Sequence, residues 1–154
     1  MAVIVWVAAA SLGGLISVNI EVNIMSGRAD DRMKLTIVAR GPRRDVVHAI
    51  RADGAMPAKS FLEGLSPAEQ AAFFAQFEML CREGRLPVTK LKKFRTARGI
   101  AWELRHSRWR IGCFQNGRQW VLTHGFEKRG QRTPEREIER VERIRDEHVA
   151  RNAQ

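Results

Sequence analysis

The sequence predicts an α+β fold, a small antiparallel sheet packed against helices and closed by a C-terminal helix. Three observations carry this. Between Ile100 and Arg129 three segments alternate with period two, and Asn116-Gly117 between the last two is a strong hairpin signal. Ser66, followed by Pro67 and by Glu69 three places on, forms the capping-box pattern of a helix start. Thr133-Pro134 opens a run in which Ile138, Val141, Ile144 and His148 recur at helical spacing.

In chain order, Lys34–Arg40 reads as a first strand, and VVHAI at 46–50 is a second apolar patch. Pro57–Leu65 suggests a short helix stopped by Ser66-Pro67. The next helix turns Ala71, Phe74, Phe77, Glu78 and Cys81 to one side, with Phe73, Met79 and Leu80 widening the stripe, and ends at Gly84 and Pro87. The basic stretch that follows reads as a loop. Strands are expected over Ile100–Ser107, Trp109–Gln115 and Gln119–Arg129, with a tight turn at His106–Arg108. Alternation places His124 on the side of Leu122, opposite Thr123. Both sides of the last strand start apolar, which predicts a central position. Thr133 is the expected N-cap of the final helix, Pro134 to about Val149.

A chain of 154 residues has room for one domain with a sizeable core, and 44% hydrophobic residues exclude global disorder. The residues 34–154 read as that domain, preceded by an extension over 1–33 with a small, charged linker at Gly27–Arg32. Residues 1–20 carry no charge, and three readings of them stay open. They suit a membrane or export segment, a packed or partner-binding element, or an appendage outside the domain's chemistry, for Met25 or Met33 would also serve as starts. The basic region of a signal peptide is missing, and no membrane partner is favoured. Cys81 and Cys113 form no CxxC pair, so buried thiols in a reducing cytoplasm are expected.

The net charge of +10 argues for an anionic partner: nucleic acid, a membrane surface or an acidic protein. Between Arg82 and Arg132 fourteen Lys or Arg face three acids, so this window holds the whole surplus. If helices cover one face of the sheet, the other displays Arg105 and Arg110, flanked by Lys90, Lys92, Lys93, Arg95 and Arg98 and by Lys128, Arg129 and Arg132. With Trp109, Phe114, Trp120 or Phe126 as stacking surfaces, this describes a groove for single-stranded RNA. RNA cleavage without a metal needs a base for the 2′-hydroxyl, positive charge at the phosphorane and help for the leaving oxygen. His124, His106 and Glu103 are the proton-transfer candidates, and Arg105, Arg110, Lys128 and Arg129 the charge stabilisers. No carboxylate or histidine cluster and no glycine cradle indicates a metal or nucleotide cofactor.

IAWELRHSRWRIGCF followed by WVLTHGFEKRGQRTPEREIERVERIRDEH resembles the phage-derived toxin family related to HigB, within the RelE-like superfamily. The matching features are Glu103 with Arg105, Trp109 with Arg110, Phe126 with Lys128 and Arg129, and Thr133 with Pro134. The resemblance spans about residues 35–149 and implies a RelE-like fold and the toxin of a type II toxin–antitoxin pair, a ribosome-dependent, metal-independent messenger-RNA endoribonuclease. It implies a cognate antitoxin, often of helix-turn-helix type, with the ribosome and messenger RNA as further partners. The implied catalytic positions are Arg105, Arg110, His124, Lys128 and Arg129. Lys90, Lys92, Lys93, Arg95, Arg98, Trp109, Phe126 and Arg132 are expected to bind RNA or the ribosome. The chain contains no tyrosine, so a mechanism resting on a phenol does not apply. The alternative is a non-catalytic relative that binds RNA or antitoxin.

Overall fold

The computed structural model describes residues 36–153. The extension over 1–33, with its uncharged segment and linker, and the first two residues of the expected strand lie outside the described residues.

Six strands form one sheet: β1 (Ile37–Arg40), β2 (Asp45–His48), β3 (Leu91–Thr96), β4 (Gly99–His106), β5 (Trp109–Asn116) and β6 (Gln119–Glu127). The helices are α1 (Pro57–Glu63), α2 (Pro67–Glu83) and α3 (Glu135–Asn152). The order across the sheet is β1-β2-β6-β5-β4-β3, so β6 is interior as its apolar faces required. All pairings are antiparallel except β2 with β6, where Val46 faces Trp120 and Val47 faces Val121. The mixed α+β architecture with a C-terminal helix agrees with a RelE-like fold.

The basic stretch expected as a loop is instead the edge strand β3, with Lys92 opposite Glu103 and Lys93 opposite Trp102. The pleat therefore sends these two lysines to opposite faces. The hairpin between β5 and β6 closes at the Asn116–Gln119 pair, one position beyond the expected Asn116-Gly117.

Helices cover both faces, not one. On the first face, Val46, Leu104, Ile111, Cys113, Trp120 and Leu122 pack against Ala58 and Leu62 of α1 and Phe73, Phe77, Leu80 and Cys81 of α2. Each fully buried aromatic of this size contributes roughly 1.5–3 kcal/mol. The stripe on α2 runs through Gln70, Phe73, Phe77, Leu80 and Cys81, displaced from the expected Ala71–Phe74 line. Ser66 and Glu69 complete the capping box reciprocally. On the second face α3 presses Ile144 among Val47, Ala49, Phe114 and Val121. Phe114 and Trp120 thus belong to the two cores and offer no stacking surface. Both cysteines are buried and free.

Two glycines let the layers meet. A Cβ on Gly125 would lie 2.0 Å from the Phe61 ring of α1, and one on Gly112 would lie 2.6 Å from Val141 of α3. Between these positions β6 holds one residue more than β5, because Ile111 pairs with Gly125 whereas Cys113 pairs with Leu122. This bulge reverses the alternation. His124 lies on the α3 side, opposite the side that simple alternation assigns.

Candidate nucleic-acid interface

Beyond the first turn of α3, side chains from β4, β5 and the segment after β6 converge on the second face of the sheet. At the centre is Glu103, only 3% exposed. Its Oε2 accepts a 2.7 Å hydrogen bond from the Thr133 hydroxyl. Its Oε1 faces Arg105 Nε at 3.7 Å and Arg110 Nε at 3.8 Å, ion-pair distances too long for hydrogen bonds. Arg110, 5% exposed, is aimed by its Nη1, which donates to the carbonyls of Ser107 and Trp109 at 2.7 and 2.8 Å. Ser107 adopts φ 53°, an unfavourable left-handed conformation for a residue with a side chain, and turns this carbonyl toward the guanidinium.

Lys128 sits at the mouth of the cluster, its backbone N–H donating to Arg108 at 2.7 Å. Desolvation first, and then the charges of Arg105, Arg110 and Lys92, lower its pKa from the ordinary lysine value, with Glu103 opposing them. Burial and Arg105 likewise lower that of Arg110. A single carboxylate therefore answers four cations, and an anion entering here would meet uncompensated positive charge. Beside the cluster lies a pocket of about 320 Å³ lined by Thr89, Lys90, Arg105, His106, Ser107 and Arg110.

His124 is separate from this mouth. It is 1% exposed, and its Nε2 and Glu137 Oε2 of α3 are 2.6 Å apart. Burial lowers its pKa, with Arg140 and Arg143 acting in the same direction and the Glu137 carboxylate opposing them. Phe126 stacks on it at 5.4 Å and stands opposite Arg110 in the register.

Of the residues singled out in the sequence, Lys90, Lys92, Arg105, Arg110, Phe126 and Lys128 share this end of the sheet. Arg129 and Arg132 are exposed in the connection to α3, Arg129 lying 3.8 Å from Glu127. Lys93 and Arg95 alternate to the opposite face, and Arg98 at the β3–β4 turn is ion-paired with Asp146 of α3. Trp109 also faces the other way. Its indole donates to Glu69, its ring meets Phe61 edge-on at 5.7 Å, and Arg108 lies over it at 4.7 Å. His106 turns to Phe73, edge-on at 5.8 Å. Thr133 is not the N-cap of α3, a position held by Pro134 without any side-chain cap. Ser107 and the central place of Glu103 lacked a spacing signal, since both depend on a turn conformation and on pairing across strands.

The model of a family described as phage-derived Gp49-like protein (DUF891) matches residues 60–146, more than half of the chain. The chain belongs to this family. The Gp49-like proteins form a toxin-like, phage-derived family of the RelE/ParE-like toxin superfamily, and membership implies a cognate antitoxin. The match runs from within α1 to within α3, so this Gp49-like region includes every residue of the Glu103 cluster and excludes β1 and β2. No curated protein matched the chain. Among the described residues, no helix is long and apolar enough to cross a membrane.

Proposed function

We propose that this protein is a HigB-like toxin that cleaves messenger RNA on the translating ribosome, in the cytoplasm, and is held in check by an antitoxin of helix-turn-helix type. The observation that carries the reading is the convergence of Lys92, Arg105, Arg110 and Lys128 around one buried carboxylate at this end of the sheet. In this mechanism the 2′-oxygen forms a bond to phosphorus, the bond to the 5′-oxygen breaks, and the 2′-hydroxyl proton passes to solvent. Arg105 and Arg110 donate to the phosphorane oxygens as charge accumulates there. Lys128, its proton made easier to release by desolvation and by neighbouring cations, protonates the departing 5′-oxygen. No metal and no tyrosine takes part. Buried His124 holds β6 against α3 and carries no substrate proton, while exposed Arg129 and Arg132 meet the ribosomal RNA backbone.

A binding-only relative is favoured by one specific observation: His124 is sealed inside against Glu137, which leaves His106, packed edge-on against Phe73, as the imidazole that lines the pocket. Single-turnover cleavage of messenger RNA in a programmed ribosome complex separates the two. Cleavage by the parent and its loss on Arg105→Ala and Lys128→Ala, at unchanged ribosome binding, is the expected result. Saturated binding with no cleavage by the parent assigns the binding-only function.

A further inference from the structure

A carboxylate wedged between two arginines ordinarily forms hydrogen bonds of about 2.7–2.9 Å with them. Glu103 does not. Its Oε1 stands 3.7 and 3.8 Å from the two Nε atoms, and both of those buried nitrogens lack a hydrogen-bond partner. The other oxygen is held at 2.7 Å by the hydroxyl of Thr133, thirty residues away in sequence. That hydroxyl is available because Pro134 occupies the N-cap of α3 and no side chain caps the helix.

We propose that Thr133 is a positioning residue that holds Glu103 back from Arg105 and Arg110, keeping both guanidinium groups aligned and unsaturated where they line the pocket, to receive a backbone phosphate of a nucleic-acid strand. The inference rests on the nucleic-acid reading of this cluster and adds its control element. Glu103 is near enough to keep two close cations together, and Thr133 stops it from saturating them. Without the hydroxyl, Glu103 closes onto the arginines and competes with the phosphate as an internal anion. The same bond ties the segment carrying Lys128, Arg129 and Arg132 to β4, so the cations of the sheet and of the connection keep a fixed relation.

The test measures binding of an RNA oligonucleotide 2′-O-methylated throughout, so that it cannot be cleaved, by fluorescence anisotropy at one salt concentration with the full chain. Thr133→Val should weaken binding about tenfold, whereas Thr133→Ser, which keeps the hydroxyl, should stay within about twofold of the parent. Adding Glu103→Gln to Thr133→Val removes the competing charge and should bring affinity back to within about threefold of the parent. If the double variant does not fold, Glu103→Asp, one methylene too short to close onto the arginines, takes its place. Parent-like binding by Thr133→Val overturns the proposal, as does failure of either the serine variant or the Glu103 substitution to recover affinity. Binding is read without catalysis, so loss and recovery in a protein that never cleaves RNA would retain this inference and overturn only the nuclease reading.

Discussion

His124 and Glu137 meet across the seam between β6 and α3, with Nε2 and Oε2 2.6 Å apart. The bulge in β6 makes this contact possible by turning the imidazole to the helix side. Glu137→Gln keeps a neutral acceptor and should cost about 1 kcal/mol, whereas His124→Ala opens a cavity and should cost about 2–4 kcal/mol, both read by urea denaturation. If His124 transferred no proton, cleavage per folded molecule should change little in Glu137→Gln. A loss of about 10²-fold there, with folding intact, would return His124 to the catalytic set.

Acid should destabilise the fold in a defined window. Burial lowers the pKa of His48 to about 3, and those of His124 and His148 also fall below the ordinary histidine value of 6.5. A depressed histidine binds its proton more readily in the unfolded chain, so its contribution is complete above about pH 6.5 and is lost as pH falls through the folded value. Glu147, lowered to about 2 by Arg51 and the Ala52 N–H, acts in the same direction at lower pH. Denaturation midpoints should be flat from pH 7 to 8 and decline steadily from 6.5 to 4. His48→Gln should flatten the lower part of that decline, and a parent whose midpoint rises on acidification contradicts the assignment.

Charge on the two faces of β3 should separate experimentally. Lys92 shares its face with Glu103, whereas Lys93 and Arg95 lie on the other. Lys92→Ala and Lys128→Ala should each reduce the slope of log affinity against log salt for single-stranded RNA by about 0.7. Lys93→Ala and Arg95→Ala should leave that slope unaltered for free RNA. Equal effects from all four would mean that RNA binds around the sheet edge and not at the cluster.

Gly112 sets the spacing of α3 above the sheet. Adding a methyl group there meets Val141 at 2.6 Å and Thr123 Oγ1 at 2.7 Å. Gly112→Ala should destabilise by about 1–3 kcal/mol, and Val141→Ala in the same chain should recover part of that loss. Additive costs in a double-mutant cycle would show that the two sites do not press on each other.

Much of the fold was legible because it is written in local chemistry. The Ser66–Glu69 box, the turn around Gly117, the alternation in β4 and the stripe Val141–Ile144–His148 each declare themselves within a few residues. What was not legible is non-local. Period-two counting cannot see an extra residue in β6, since the bulge is a property of its pairing with β5, and His124 was therefore set on the wrong face. Leu91–Thr96 looked like a loop because its charged residues hide a strand whose lysines divide between the two faces. Thr133 beside a proline resembled a cap, yet its hydroxyl goes to a strand thirty positions earlier. Charge and the family resemblance point to the arginines and Lys128, whereas the central place of Glu103 among them shows only once β4, β5 and the last connection are seen together.

The parallel pairing of β2 with β6 has a consequence for how the protein is made. Asp45 must wait for Gln119, and β2 has no partner on its inner edge until the last strand emerges. At 5–20 residues per second this interval lasts on the order of 4–15 s. The cations of β4 and β5 are translated before that closure, but Lys128 and Thr133 follow it. The charged centre is therefore complete only after all six strands have been translated, since Lys128 and Thr133 come last among its residues.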